Sequence, residues 1–89
     1  MQEERIPRLS RDHDALAAAV REARARRGLS QEELGARARL HRNYVGAIER
    51  GEINPTFRTL LRLTGGLGVA LSALVAVYER NIGESGASP

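Results

Sequence analysis

The sequence predicts a small all-α domain built from five short helices, and three observations carry this prediction. Aromatic residues make up only 3% of the 89 residues, so the core must consist mainly of Leu, Val, Ile and Ala, which favours packed helices over strands. Apolar residues recur at helical spacing in five segments, and no segment shows the strict alternation of a half-buried strand. Residues that start or stop helices separate these segments. A chain of this length fits one domain.

The expected helix boundaries follow from local signals. Gly28 ends the first helix, and Ser30 with Glu33 forms a capping box at the start of the second. Gly51 ends the third helix, and Thr56 is the predicted N-cap of the fourth. In chain order, the predicted helices cover about residues 14–27, 30–38 and 42–50, a fourth segment from Thr56 to the glycines Gly65, Gly66 and Gly68, and residues 71–80.

The two ends of the chain are predicted to lie outside the folded domain. Residues 1–12 are polar, charged and interrupted by Pro7, which indicates a flexible arm, and residues 82–89 form a flexible tail. The domain is therefore expected to span residues 13–81. The start of the chain lacks the apolar segment of a secretory signal, and the longest apolar stretch, residues 67–78, is about half the length that spans a bilayer. We expect a cytoplasmic protein with no membrane partner.

The charged residues indicate a polyanionic partner. All fourteen basic residues are Arg, and eight of them lie between residues 21 and 50, against four acidic residues in the same segment. Such a local basic excess is typical of surfaces that bind nucleic acid. The chain has no Cys, and its two histidines, His13 and His41, are too far apart for a helical metal pair. Since there is also no nucleophile–base pair and no phosphate loop, we expect no metal, no cofactor and no enzymatic activity.

Residues 30–50 have the pattern of two short helices joined by a three-residue turn, a helix-turn-helix. Gly35 is the small residue expected where the two helices touch. The apolar residues expected to fix their angle are Leu34, Ala38, Leu40, Val45 and Ile48. The residues left for the outer face of the second of these helices are Arg42, Asn43, Gly46, Ala47 and Arg50.

That outer face suits the DNA major groove. Arg pairs with guanine O6 and N7, Asn pairs with adenine N6 and N7, and the methyl group of Ala47 suits contact with a thymine methyl. The spacing alone leaves a second interpretation open, in which Arg42 and Asn43 merely begin a solvent-exposed helix. RNA is a less suitable partner, because the major groove of A-form RNA excludes such a helix.

A longer stretch of the chain, from Val20 to Leu74, resembles a known family. The segments that carry the resemblance are VREARARRGLSQEELGARARL, HRNYVGAIERGEINPTFRTLLRLTGGLGV and LSALV. They are similar to the Cro-like, XRE-type family of phage-repressor helix-turn-helix domains. The resemblance implies a compact five-helix, lambda-repressor-like domain that binds double-stranded DNA and regulates transcription.

The resemblance also implies roles for individual residues. The positions that read bases in the family match Arg42, Asn43 and Ala47. The positions that contact the DNA backbone match Gln31, Tyr44, Arg50, Asn54 and Thr56, with Arg58 in the following helix. Arg24 and Glu49 match a pair of side chains that joins the first helix to the third, and a buried Arg needs such a partner because an uncompensated buried charge is costly. Two independent surface charges are the alternative for this pair.

Three positions depart from the family pattern. Arg39 stands where the family usually has Gly in the turn, so either Arg39 adopts a left-handed conformation or the turn differs. Ala70 replaces the Ser or Thr that often caps the fifth helix. Ala47 replaces what is often a longer polar residue, which predicts few base contacts.

The fifth predicted helix is apolar almost all round, which is unusual in a soluble monomer. One apolar stripe closes the core, and the residues expected at a homodimer interface are Ala73, Val75, Val77 and Tyr78. A C-terminal tail folded over this stripe, or a toxin protein bound to it, are the alternatives. The predicted function is therefore a repressor-like regulator that binds a palindromic operator as a dimer, and the alternative is the antitoxin of a toxin–antitoxin pair.

Overall fold

The computed structural model describes residues 10–84, which fold into five α-helices and contain no strand. In chain order, the helices are α1 (Arg11–Arg27), α2 (Gln31–Ala38), α3 (Arg42–Glu49), α4 (Phe57–Leu67) and α5 (Leu71–Glu84). The all-α class with five helices that the sequence predicts is therefore confirmed. Within the described residues no single helix is long and apolar enough to cross a membrane; α4 and α5 pass this test only as a pair, which bends by 104°.

Side-chain caps explain where several of these helices begin. The Ser10 hydroxyl accepts a hydrogen bond from the His13 N–H at 3.2 Å at the start of α1. At the start of α2, the Glu33 N–H donates to the Ser30 hydroxyl at 2.9 Å and the Ser30 N–H donates to the Glu33 carboxylate at 2.8 Å, which is the predicted capping box. This backbone hydrogen bond from Ser30 lowers the pKa of Glu33. Thr56 caps α4 in the same way as Ser10 caps α1.

Two helices are longer than the sequence predicts. Because Ser10 supplies the cap, α1 begins at Arg11, inside the segment predicted as an arm. At the other end α5 continues to Glu84, so residues 82–84 are helical rather than part of a tail. The Asn81 amide donates to the Ala15 carbonyl at 3.1 Å and holds the last turns of α5 against α1. The remainder of the predicted arm and tail, residues 1–9 and 85–89, lies outside the described residues.

The core is aliphatic and draws on all five helices, as the low aromatic content predicts. Its largest fully buried side chains are Leu34, Ile48, Leu63, Leu67, Val20 and Val45, and Leu74 adds the contribution of α5. Helix α5 packs mainly on α1, while α2 packs on both α3 and α4. Helix α3 also contacts α1, so α2 and α1 together hold it against the rest of the domain. Phe57, the single Phe of the chain, is 65% exposed and takes no part in this core.

The approach of α2 to the following turn requires a residue without a side chain. A methyl group added at Gly35 would lie 2.5 Å from the carbonyl oxygen of Leu40, which is closer than atoms can pack. The Leu40 N–H also donates to the Gly35 carbonyl at 2.8 Å. Gly35 therefore lets the chain turn tightly from α2 into α3 and fixes the angle of the helix-turn-helix.

Arg39 ends α2 in the left-handed conformation, with φ 61° and ψ 44°. Of the two possibilities that the sequence leaves open, a left-handed Arg39 or a different turn, the structure shows the left-handed Arg39. A residue with a Cβ atom is strained there, whereas Gly is not. We expect Arg39→Gly to raise the free energy of unfolding by about 0.5–1 kcal/mol and the melting temperature by about 2–8 °C. Thermal unfolding followed by circular dichroism measures this change. Arg37→Gly, the same substitution at an exposed helical position of α2, should lower the melting temperature. A lower melting temperature for Arg39→Gly would show that the turn carries no such strain.

Candidate nucleic-acid interface

An open surface depression runs along α3 and brings together most of the residues that the sequence predicts for DNA contact. The predicted contact residues that line it are Gln31, Arg42, Asn43, Tyr44, Ala47 and Arg50. None of the described residues that line it is acidic. Gln31 comes from the start of α2 and the others from α3 or its C-terminal end, so the angle between these two helices determines the shape of the surface.

The first turn of α3 presents two exposed polar side chains, Arg42 and Asn43. The His41 ring nitrogen Nδ1 accepts a hydrogen bond from the Asn43 N–H at 2.9 Å, so the residue before the helix satisfies one of its free N–H groups. Arg42 lies 3.6 Å from Glu32, and both side chains are largely in solvent. A loose pair of this kind leaves the Arg42 guanidinium free to turn toward a ligand.

Ala47 and Gly46 line the depression but are buried, not exposed on the outer face of α3 as the sequence predicts. Ala47 is 3% exposed and belongs to the core, and the Glu52 N–H of the returning loop donates to its carbonyl at 3.0 Å. Gly46 is buried beneath two side chains, because a methyl group added there would lie 3.1 Å from Arg50 Nη1 and 3.4 Å from Gln31 Oε1. Gln31 and the loop cover α3 from two sides, so its buried face is wider than a single apolar stripe. A role for Ala47 as a base-reading residue therefore loses its support.

Arg24 and Glu49 lie together, as a pair and not as independent surface charges. Arg24 Nε lies 2.6 Å from Glu49 Oε2 and Arg24 Nη2 lies 2.9 Å from Glu49 Oε1, which is a two-bond fork. The Glu49 side chain is 2% exposed and that of Arg24 is 22% exposed. The hydrogen bonds that Arg24 donates to Glu49 raise the pKa of Arg24. Arg24 also donates to the Leu29 carbonyl at 2.9 Å, so one guanidinium links α1, the loop after it and α3.

The structure adds a contact that joins this buried pair to the surface depression. The Gln31 amide nitrogen Nε2 donates to Glu49 Oε1 at 2.9 Å. The side chain of Gln31 is therefore held over α3 by the same carboxylate that binds Arg24. The sequence gives Gln31 and Glu49 separate roles and contains no signal for their contact, because they lie 18 residues apart on different helices.

At the other end of α3, Arg50 is paired with a residue that the sequence analysis does not identify. Arg50 Nε donates to Glu52 Oε2 at 3.0 Å and Arg50 Nη2 donates to Glu52 Oε1 at 3.2 Å. The hydrogen bonds that Arg50 donates to Glu52 raise the pKa of Arg50. The Glu52 side chain is half-buried, since 26% of it is exposed, while that of Arg50 is 56% exposed.

The predicted backbone contacts beyond α3 lie outside the depression. Asn54, Thr56 and Arg58 are exposed. The Thr56 hydroxyl accepts a hydrogen bond from the Thr59 N–H at 3.1 Å, so its side chain serves as the N-cap of α4. Arg58 lies on α4 beside Phe57. The N-terminus of α4 is thus exposed, with a cationic side chain next to it.

Helix α5 presents a different face to solvent from the one predicted. Val77 and Tyr78 are half-buried and pack against the core, and the Tyr78 hydroxyl donates to Asp12 of α1 at 3.2 Å. These two residues therefore do not lie at a free interface, whereas Ala73 and Val75 are exposed. Among residues 10–84, the large apolar side chains that are exposed are Phe57, Leu61 and Val75. The sequence analysis assigns no role to Phe57 or Leu61. Residues 10–84 contain no cluster of three side chains able to hold a metal ion.

Comparisons with known proteins place this arrangement in a family. A family model described as helix-turn-helix matches residues 20–74. The control protein C.SmaI of Serratia marcescens is 40% identical over 62 residues, which are 70% of this chain and 74% of that protein. The immunity repressor protein of Bacillus phage phi105 is 39% identical over 56 residues, which are 63% of this chain but only 39% of the phage protein.

The structural comparison gives the same result. The crystal structure of the wild-type restriction-modification controller protein C.Esp1396I superposes with a TM-score of 0.80 at 25% identity, covering 85% of this chain and 99% of that chain. The clp gene regulator ClgR from C. glutamicum superposes with a TM-score of 0.76, also at 25% identity, covering 80% of this chain and 92% of that chain. The chain therefore belongs to the helix-turn-helix family of transcriptional regulators, which bind double-stranded DNA and are not enzymes.

Proposed function

We propose that this protein is a cytoplasmic, repressor-like regulator that binds a palindromic operator as a homodimer. The observation that carries the proposal is the exposed first turn of α3, where Arg42 and Asn43 stand at a depression without any acidic lining among the described residues. In the major groove, Arg42 suits guanine and Asn43 suits adenine. Both side chains sit on a rigid helix, so they reach the bases in a fixed register.

The remaining predicted contacts serve to hold the DNA backbone. Gln31, Tyr44 and Arg50 surround the base-reading residues in the depression. Asn54, Thr56 and Arg58 lie around the N-terminus of α4, where free N–H groups and the helix dipole favour a phosphate. Contacts of this kind set the orientation of the protein on the duplex and carry no sequence information.

The names of the relatives favour a regulator over an antitoxin. Those described above are controller, repressor and gene-regulator proteins. An antitoxin would need a toxin-binding surface, and no contact in the structure distinguishes such a surface from one that binds a second copy of the chain. We therefore infer regulation of an operator as the function of this protein.

The test begins with selection of an operator from random double-stranded DNA. Arg42→Ala and Asn43→Ala should each weaken operator binding by about 1–3 kcal/mol and relax the sequence preference, because each removes a base contact. Gln31→Ala should weaken binding to operator and random DNA alike. Fluorescence anisotropy with labelled duplexes measures both affinities.

A matched control separates a base contact from a simple loss of charge. Arg26→Ala removes one positive charge from α1, where the Arg26 side chain is 72% exposed and pairs with Glu22. This variant should bind the operator nearly as tightly as the parent. If Arg42→Ala binds the operator no more weakly than Arg26→Ala, Arg42 does not read a base.

A further inference from the structure

Glu52 stands beside the proposed DNA surface although its charge repels phosphate. It follows α3 by three residues, and its backbone N–H donates to the Ala47 carbonyl at 3.0 Å, which fixes the loop against the helix. Its carboxylate takes the Nε and Nη2 donors of Arg50 at 3.0 and 3.2 Å. The backbone hydrogen bond belongs to the C-terminal cap of α3 whatever the side chain, so it is the two-bond contact with Arg50 that ties this carboxylate to the DNA surface.

The contact with Glu52 uses the Nε and Nη2 donors of the Arg50 guanidinium and leaves its other N–H donors available for a ligand. A guanidinium has five N–H donors arranged along more than one edge, and Glu52 occupies the edge formed by Nε and Nη2. The Nη1 end reaches back one turn along α3, since a methyl group added at Gly46, four residues earlier, would lie 3.1 Å from it. Both Gly46 and Arg50 line the depression. The free edge of Arg50 therefore faces the surface where DNA is proposed to bind.

We propose that Glu52 is a positioning residue, which holds the Arg50 guanidinium over Gly46 so that its free Nη1 and Nη2 donors meet a DNA phosphate. The proposal rests on the proposed DNA binding and adds a residue to it. A long, exposed side chain such as Arg loses conformational entropy when it is ordered. Because Glu52 already restricts the rotamers of Arg50 in the free protein, less entropy is lost when DNA binds. Gly46 leaves room for this position of Arg50, because a side chain there would meet Nη1 at 3.1 Å and push the guanidinium aside.

The charge of Glu52 makes the test decisive, because positioning and simple electrostatics predict opposite signs. If Glu52 only repels the phosphates, Glu52→Gln strengthens DNA binding. If Glu52 positions Arg50, Glu52→Gln breaks the fork and weakens binding by about three- to tenfold, despite the removal of a negative charge. The loss should be equal for the selected operator and for random duplex DNA, since a phosphate contact carries no sequence information.

Glu32→Gln is the matched control. Glu32 also lies beside an arginine of the depression, but its closest approach to Arg42 is 3.6 Å and its side chain is 75% exposed. Its neutralisation should leave DNA binding unchanged or stronger, as expected for charge alone. Thermal unfolding of each variant shows that the fold persists.

A double-mutant cycle assigns the effect to Arg50. In an Arg50→Ala background, Glu52→Gln should no longer weaken binding and should strengthen it slightly, because only the repulsion is then removed. The inference is overturned if Glu52→Gln in the parent binds DNA as tightly as the parent or more tightly, or if its loss of affinity persists without Arg50. If the parent itself binds no duplex DNA, it is the proposed function that fails.

Discussion

Arg24→Met is expected to lower the free energy of unfolding by about 3 kcal/mol, because it leaves Glu49 as an uncompensated charge in the core. Glu49 is 2% exposed and receives two hydrogen bonds from Arg24. Breaking a buried ion pair from one side typically costs about 3–5 kcal/mol, and the lower end applies because 22% of the Arg24 side chain is exposed. In a domain of this size, the melting temperature should fall by more than about 10 °C.

Urea unfolding followed by circular dichroism measures this loss, and Arg26→Met provides the matched control. Arg26 lies in the same helix and pairs with Glu22 at 2.9 Å, but its side chain is 72% exposed. Exposed pairs of this kind contribute about 0.2–1 kcal/mol, so this variant should remain close to the parent. The double variant Arg24→Met, Glu49→Leu should recover much of the lost stability, since it removes the stranded charge. An equal effect of Arg24→Met and Arg26→Met would show that the pair does not hold α1 to α3.

The features that the sequence predicts correctly are those decided by residues close together in the chain. The capping box of Ser30 and Glu33 depends on a spacing of three residues. The cap that Gly28 forms at the end of α1 involves only residues of the last helical turn. The all-α class follows from such local signals and is confirmed, as is the helix-turn-helix family, which the resemblance over residues 20–74 implies. The start of α1 is also decided by a local signal, the Ser10 cap. The sequence analysis misses it because Ser10 lies in a polar segment that is predicted to be an arm.

The features that the sequence analysis misses depend on how the helices cross. Helix α5 is apolar almost all round, so periodicity does not say which of its residues meet α1, and Val77 and Tyr78 are assigned to an interface although they are half-buried against the core. Similarly, Ala47 is assigned to the outer face because a single helix gives no indication of the loop that returns over it. The Arg50–Glu52 fork arises in that same loop. Residues near α3 thus require the tertiary arrangement before their roles can be derived.

These corrections also move the proposed dimer interface. Phe57 and Leu61 are one turn apart on α4 and are 65% and 46% exposed, while Val75 on α5 is 38% exposed. Exposed apolar residues at such spacing are typical of a surface that binds another protein. We propose that a second copy of the chain covers this surface, because one recognition helix contacts too few base pairs and two-fold symmetry doubles the contact. Val77→Glu would not test this, because Val77 packs against the core.

Leu61→Glu is expected to convert the dimer into a folded monomer. Leu61 lies one turn beyond the start of α4 and shares a surface with Arg58, so the state of association and not the DNA affinity is the primary measurement. Sedimentation velocity at tens of micromolar should give a dimer for the parent and a monomer for Leu61→Glu, with the helical circular dichroism unchanged. The parent should prefer a palindrome with half-site centres about 34 Å apart over a single half-site, and Leu61→Glu should lose that preference at least tenfold, or about 1.4 kcal/mol.

Val75→Glu should weaken the dimer less, because Val75 is smaller and less exposed. Ala25→Glu, which adds the same charge to an exposed position of α1, should remain a dimer. A parent that sediments as a monomer, or a Leu61→Glu variant that remains a dimer, would contradict this interface.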